Sequence, residues 1–208
     1  MLIKIRETGP MPVNTYILED EASKEAVVID VGGGFEGIKE ETENQGYKIK
    51  YILNTHGHFD HILGEMYVQK NYPEIPIYMN KDDLSHIEKL HEEAGYFGFS
   101  SDNNNLKIDN FIDENSELYI GGNKIQILKT PGHSKGSLSF YVDGKVFSGD
   151  VLFYRSIGRT DIYDGDYDTL INSIKTKLFV LPEDTIVYPG HGPYTTIKDE
   201  KNYNTYLT

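Results

Sequence analysis

Three histidines and one aspartate cluster in the heptapeptide Thr55-His56-Gly57-His58-Phe59-Asp60-His61. Residues 51–54 before it are largely apolar and predict a buried strand, so the cluster lies where a strand ends. In extended backbone, residues two apart point to the same side, and His56 and His58 can therefore converge on one ion. Asp60 and His61 point differently once a helix begins and could serve a second ion. Imidazole and carboxylate are ligands that zinc, iron and manganese accept.

Three further segments place a histidine or an aspartate beside glycine at the end of an apolar run. They are Thr130-Pro131-Gly132-His133, Ser148-Gly149-Asp150 and Tyr188-Pro189-Gly190-His191. Glycine allows the chain to turn sharply and to bring the neighbouring side chain inward. We therefore expect four strand ends to meet at one edge of a pair of sheets and to form a metal site.

The two remaining histidines do not follow this pattern. His86 and His91 are five residues apart within a charged helix predicted over residues 82–94, which is not the i, i+4 spacing of a zinc-binding helix. We predict that neither is a metal ligand, because an isolated histidine is more often an ordinary polar residue.

The composition disfavours several classes of protein. The 208 residues include 20 Lys and Arg against 33 Asp and Glu, and the net charge of −13 argues against binding to nucleic acid or to an anionic membrane. The absence of cysteine excludes disulfides, thiolate catalysis and Cys-ligated metal centres. Because no apolar run is long enough for a signal peptide or a membrane span, we expect a cytoplasmic protein.

The order of predicted elements indicates two packed sheets. Strands dominate residues 1–31 and 117–147. Helices are predicted over residues 35–45, 61–71, 82–94 and 167–179. The order is neither regular βαβ alternation nor all-β. It suits two sheets face to face with helices outside, in one domain that covers residues 1–208.

The segments between these elements carry turn and loop signals. Gly121-Gly122 and Asp143-Gly144 are expected to join neighbouring strands as hairpins. Residues 100–105 are expected to form a polar surface loop, and the tail after residue 191 is polar. The aromatic residues in Tyr96-Phe97-Gly98-Phe99 could form a partial lid, but we favour a role in filling a gap between helix and sheet.

The four motifs together resemble the signature motifs of the metallo-β-lactamase superfamily. They are present in the order of that family, and they extend from residue 56 to residue 191. The segment Asn14-Thr15-Tyr16 and the strand at residues 26–30 also resemble the N-terminal sheet of the family. The resemblance implies an α+β fold, a four-layer αββα sandwich with two mixed sheets between helices. It is less specific for the substrate, because one fold carries many reactions.

The resemblance also implies a role for each position of the site. His56, His58 and His133 would hold a first metal, Asp60, His61 and His191 a second, and Asp150 would bridge them. The expected cofactor is a pair of divalent cations, with zinc as the first expectation and iron or manganese as alternatives. Asp60 would also orient a metal-bridging hydroxide, which is its catalytic role. β-Lactamases of the superfamily usually lose one ligand or use cysteine, so β-lactam hydrolysis is not our first expectation.

Hydroxide attack on a carbonyl carbon is the reaction that such a site supports, and a thioester fits it well. A thiolate leaves readily because its conjugate acid has a pKa of about 8.5. Residues 149–161 resemble the same segment of glyoxalase-II-like hydrolases, which cleave S-2-hydroxyacylglutathiones. Arg159 could bind a substrate carboxylate there, or it could pair with Asp161 or Asp164. About seventeen residues follow His191, so we expect no counterpart of the helical C-terminal domain that contacts glutathione in full-length glyoxalase II.

Other functions fit the sequence less well. An iron-dependent persulfide dioxygenase would use one iron at the positions of His56, His133 and Asp150, and a lactone hydrolase would use the same site. The glycines of residues 32–37 match a dinucleotide-binding pattern but are interpreted as a strand-to-helix turn. Residues 164–175 fail as a calcium loop, and Asp166 or Asp168 is expected to cap the next helix. The expected binding partner is a small acyl-thiol substrate. The protein itself is expected to be a monomer or a small homo-oligomer.

Overall fold

The first sheet contains the N-terminal half of the strands. A computed structural model describes residues 1–99 and 106–207. The sheet runs in sequence order through β1 Leu2–Thr8, β2 Val13–Asp20, β3 Glu25–Ile29, β4 Lys48–Leu53, β5 Ile77–Met79 and β6 Asn110–Phe111. β1, β2 and β3 pair antiparallel, whereas β3 to β6 pair parallel. Parallel neighbours need a crossover, and the helices between them supply it.

The second sheet contains the C-terminal half. Its strands are β7 Leu118–Ile120, β8 Asn123–Lys129, β9 Leu138–Val142 and β10 Lys145–Gly149, followed after a small hairpin (β11 Leu152–Phe153, β12 Ser156–Ile157) by β13 Ile186–Pro189 and β14 Thr195–Thr196. The spatial order is β14-β13-β10-β9-β8-β7, and only β10 and β13 pair parallel. The predicted hairpins at Gly121-Gly122 and Asp143-Gly144 are confirmed.

Helices cover the outer faces of both sheets. They are α1 Phe35–Asn44, α2 Phe59–Ile62, α3 Glu65–Asn71, α4 Leu84–Glu88, α5 Leu90–Tyr96, α6 Tyr167–Ser173 and α7 Ile197–Tyr203. A short 3₁₀ turn, Lys81–Asp83, precedes α4, and a π-helical turn, Ile174–Leu178, extends α6.

The alternation of side chains along each strand explains the layers. Val27 and Ile29 point into a core between the two sheets, whereas Val28 packs beneath the helices on the first sheet. In the second sheet, Phe147 joins the core between the sheets and Val146 contacts the opposite face under α6. Both faces of each central strand are buried. One face of each sheet packs against the other sheet, and helices must therefore cover the opposite face. The predicted four-layer αββα sandwich is confirmed.

Several predicted elements differ in detail. The helix predicted over 61–71 begins earlier and is interrupted at Gly64, where a side chain would collide with Gly33 and Val31. The helix predicted over 82–94 is three short segments. The polar tail contains α7, and the hairpin of β11 and β12 was not predicted. The predicted surface loop at 100–105 lies outside the described residues.

Glu65, the first residue of α3, carries a fully buried carboxyl group. Burial raises its pKa well above the ordinary value, and the adjacent Asn54 amide only partly opposes this. The unfolded chain therefore loses this proton first as pH rises above about 4.3, and stability falls by up to about 1.4 kcal/mol per pH unit until the folded pKa is passed. We expect Glu65→Gln to remove this slope. Chemical denaturation of metal-free protein at pH 5 and pH 7 would test this; equal slopes for variant and parent would contradict it.

Candidate metal centre

The four predicted strand ends meet at one edge of the sandwich. His56 and His58 follow β4, His133 follows β8, Asp150 follows β10 and His191 follows β13. His56, His58 and His133 form one group of ligand atoms, and Asp60, His61 and His191 form a second. In each group the ligand atoms lie within 4.8 Å of one another. Asp150 lies between the groups. The structure thus brings together all seven predicted side chains.

The spacing of the ligand atoms fits a coordination shell. Asp150 Oδ1 is 3.3 Å from His61 Nε2, and Asp150 Oδ2 is 3.7 Å from both His133 Nε2 and His191 Nε2. Asp60 Oδ2 is 3.3 Å from His191 Nε2. A tetrahedron with metal–ligand bonds of about 2.1 Å has edges of about 3.4 Å. These separations therefore match ligand-to-ligand edges around an ion.

The polar atoms at the centre lack other partners. Five buried ones have no hydrogen-bond partner among the described residues: Nε2 of His56, His58, His61 and His133, and Oδ1 of Asp150. A buried polar group without a partner is costly, and such groups are uncommon in folded proteins. Divalent cations would satisfy all five atoms at once, so the residues present fit a metal pair.

The outward nitrogens of four imidazoles are held by the protein. His61 Nδ1 lies 2.9 Å from Asp30 Oδ2, His133 Nδ1 donates to Arg159 O at 2.8 Å, and His191 Nδ1 donates to Pro12 O at 2.7 Å. His56 Nδ1 lies 3.0 Å from the Thr55 hydroxyl. These acceptors fix the hydrogen on Nδ1 and leave the Nε2 lone pair facing the centre, as metal ligation requires.

Asp30 is a site residue that the sequence analysis missed. Its carboxylate accepts hydrogen bonds from the Thr55 amide at 2.8 Å and the Thr55 hydroxyl at 2.7 Å, besides contacting His61. Thr55 Oγ1 donates to Asp30 and is thus free to accept from His56. Asp30 has φ +57, a left-handed conformation that aspartate tolerates better than most residues. The signal was an aspartate at the end of an apolar strand, directly before Val31 and three glycines.

Burial and neighbouring charges shift the pKa values of the site histidines in opposite directions. Burial, reinforced by neighbouring imidazoles, lowers the pKa of His56 and His58 well below the ordinary value. Burial acts in the same direction on His61, but the carboxylates of Asp150, Asp30 and Asp60 outweigh it and raise its pKa. The carboxylates thus create a negative field that a cation would relieve.

Asp83 ties together the two loops that carry the first group of histidines. Its side chain is fully buried and accepts hydrogen bonds from Gly57 N at 2.9 Å, the Ser134 hydroxyl at 2.7 Å and Gly136 N at 2.6 Å. Gly57 lies between two of the predicted ligands, and Ser134 follows a third. The carboxylate thereby sets the distance between the two loops.

Asp83→Asn is expected to weaken the first metal site about 10- to 100-fold. The amide NH₂ would face one of these donors, so at least one hydrogen bond is lost and two donors oppose each other. Competition with a chelator and the visible spectrum of the cobalt-substituted protein would measure the change. Asp82→Asn is the matched control, because Asp82 pairs with Lys129 at the surface. Equal metal affinity in the two variants would contradict the role of Asp83.

His86, predicted to be an ordinary polar residue of a charged helix, is buried. His86 Nδ1 is 2.8 Å from Glu93 Oε1 and Nε2 is 3.3 Å from Asp164 Oδ1, while its ring lies edge-on to His58 at 4.7 Å. Asp83, His86 and Asp164 lie close enough together to resemble a metal cluster. Both ring nitrogens of His86 and both carboxylate oxygens of Asp83 already have hydrogen-bond partners within the protein, and the His86 ring supports that of His58.

An apolar pocket opens above the metal centre. The predicted substrate residue Arg159 lies at its wall and pairs with Asp161 through Nε–Oδ1 at 2.9 Å and Nη2–Oδ2 at 3.0 Å, the second of its two expected roles. Phe97 also lines the pocket and stacks on Phe59, which agrees with the gap-filling role.

Asp166 accepts a hydrogen bond from Thr169 N and caps α6 as predicted.

The chain belongs to the metallo-β-lactamase superfamily, whose family model matches residues 8–191. Hydroxyacylglutathione hydrolase GloC of Haemophilus influenzae is 40% identical to it over 93% of this chain and 91% of that protein. The crystal structure of BLEG-1, a B3 metallo-beta-lactamase, has a TM-score of 0.90 at 37% identity and covers 100% of both chains. TTHA1623, solved in a di-iron-bound form, has a TM-score of 0.87 at 33% identity, covering 98% of this chain and 100% of that one.

The fold and the family establish a metallo-hydrolase of this superfamily. No helix within residues 1–99 and 106–207 has both the length and the apolar character that crossing a membrane requires.

Proposed function

We propose that the protein is a dinuclear metal-dependent hydrolase that cleaves thioesters such as S-2-hydroxyacylglutathiones. The observation that carries the proposal is the set of unpartnered Nε2 atoms that converge on both sides of the Asp150 carboxylate. The full set of seven ligands favours two ions over the single iron of a dioxygenase. The similarity to GloC, a hydroxyacylglutathione hydrolase, supports the thioester as substrate.

The residues around the centre fit hydrolysis of a bond with a good leaving group. Two divalent cations, zinc in our proposal, would supply a water of lowered pKa and polarise the carbonyl oxygen. Asp60, whose Oδ2 lies 3.3 Å from His191 Nε2, would accept a hydrogen bond from that water and orient it. Burial, aided by Glu93 and Asp60, raises the pKa of the pocket residue Tyr163, which makes its hydroxyl a weak acid. A thiolate leaves without strong acid assistance, unlike an amine.

A substrate comparison on one metal-loaded preparation tests the proposal. S-lactoylglutathione, a chromogenic cephalosporin, an aliphatic lactone and glutathione persulfide would be assayed in parallel. We expect thioester cleavage to have the highest kcat/KM, to stop with a chelator and to return with about two equivalents of zinc per chain. Oxygen uptake on the persulfide without thioester cleavage would overturn the proposal in favour of a dioxygenase. Faster turnover of the cephalosporin or the lactone would reassign the substrate.

A further inference from the structure

The pocket above the metal centre has a volume of about 310 Å³ and a largely apolar wall. Its apolar side chains are Met11, Phe97, Phe153, Ile157 and Ile162. They come from three parts of the chain: the turn before β2, the end of α5 and residues 153–162. Apolar surface that remains next to a buried polar centre is characteristic of a substrate-binding wall.

The pocket wall outside the metal centre carries little charge. Among the described lining residues outside the metal centre, Arg159 is the one that carries a charge. Its guanidinium is held by Asp161 in a two-bond contact, which neutralises it locally. The chain as a whole has a net charge of −13. The wall beside the reacting carbonyl therefore offers little attraction to an anionic group and much to an apolar one.

The volume exceeds what a small hydroxyacyl group needs. The lining of this volume includes the metal ligands as well as the five apolar side chains. A two- or three-carbon acyl group whose carbonyl faces the metal centre would leave most of those apolar side chains uncovered. Each further methylene buried there gains about 0.8 kcal/mol, which is close to a fourfold increase in binding.

We propose that the pocket selects thioesters with an apolar acyl group of about four to eight carbons. The inference rests on the proposed thioester hydrolase function and specifies its substrate class. In the reaction, the oxygen of water bonds to the acyl carbon, the C–S bond breaks with its electron pair going to sulfur, and the products are a carboxylate, a thiol and one proton. The apolar chain of the acyl group lies against Ile162 and Phe97 while the carbonyl group faces the metal centre.

A chain-length series on a neutral carrier tests this selection. The substrates are the acetyl, butyryl, hexanoyl and octanoyl thioesters of N-acetylcysteamine. We expect kcat/KM to rise about fourfold per methylene up to hexanoyl. Values that stay flat or fall with chain length, with S-lactoylglutathione the better substrate, would overturn the inference and leave the hydrolase function in place.

Binding of inert thioethers separates the pocket from the chemistry. Calorimetry with the S-ethyl and S-hexyl thioethers of N-acetylcysteamine should give a lower Kd for the hexyl compound even if the protein cleaves no thioester. That combination would overturn the hydrolase function and support the apolar pocket. Ile162→Ser should weaken hexyl binding about fivefold and reduce the increase in kcat/KM with acyl chain length. Val180→Ser, at an exposed position outside the pocket lining, is the matched control. Equal hexyl binding in both variants would contradict the inference.

Discussion

Replacing Asp150 by asparagine is expected to lower the metal content from the two ions per chain that we propose to one or fewer. Asp150 lies between the two groups of ligands, with Oδ1 3.3 Å from His61 Nε2 and Oδ2 3.7 Å from both His133 Nε2 and His191 Nε2. An asparagine keeps the shape but removes the negative charge and one acceptor. We expect kcat/KM to fall at least about a thousandfold, or ~4 kcal/mol of transition-state stabilisation.

Asp143→Asn is the control for this substitution. Asp143 lies at the opposite end of the same hairpin strand, in the turn before β10, and has φ +49, which asparagine tolerates. Thioester kinetics and metal analysis of both variants would be compared with the parent. A full metal complement in Asp150→Asn, or an equal loss in Asp143→Asn, would contradict the bridging role.

Asp60→Asn is expected to lower kcat about 10²- to 10⁴-fold with a smaller change in KM. Asp60 is buried at the start of α2, and its Oδ2 faces His191 Nε2 at 3.3 Å. A neutral amide has the same size as the carboxylate and can still reach the second group of ligands. It lacks the negative charge of the carboxylate, so it would orient the attacking water less well than Asp60 does. The effect should therefore fall mainly on the chemical step, unlike that of Asp150→Asn.

Steady-state kinetics at saturating zinc separate this effect from metal loss. Asp184→Asn, at an exposed position away from the pocket lining, serves as the control. If added zinc restores kcat of Asp60→Asn to the parent value, Asp60 only binds metal and does not orient the water.

The sequence was sufficient to predict the convergence of the ligands because four strand ends carry a glycine beside a histidine or an aspartate. The ends of neighbouring strands meet at one edge of the sheet. A ligand residue beside glycine at each strand end therefore indicated that ligands far apart in the sequence lie close together. Gly149 illustrates the requirement, since its φ of +50 and the close approach of Thr55 leave no room for a side chain. The order of the predicted strands and helices likewise indicated two packed sheets.

The supporting residues could not be predicted in the same way. Asp30 contacts His61 from 31 positions away, and Asp83 contacts Ser134 from 51 positions away. No local periodicity reports such pairs. The helix α7 was missed because its buried contacts are partly polar: Glu200 accepts hydrogen bonds from Thr195 and Asn204 beneath it. The polar sequence of α7 therefore gave no apolar pattern from which a packed helix could be predicted.

The metal content of protein purified without a histidine tag, loaded with zinc and freed of loosely bound metal, tests the central claim most directly. Inductively coupled plasma mass spectrometry against protein concentration should give about two zinc ions per chain. A value of one ion per chain or fewer, with the zinc supply in excess, would contradict the dinuclear centre and the roles assigned to its seven ligands.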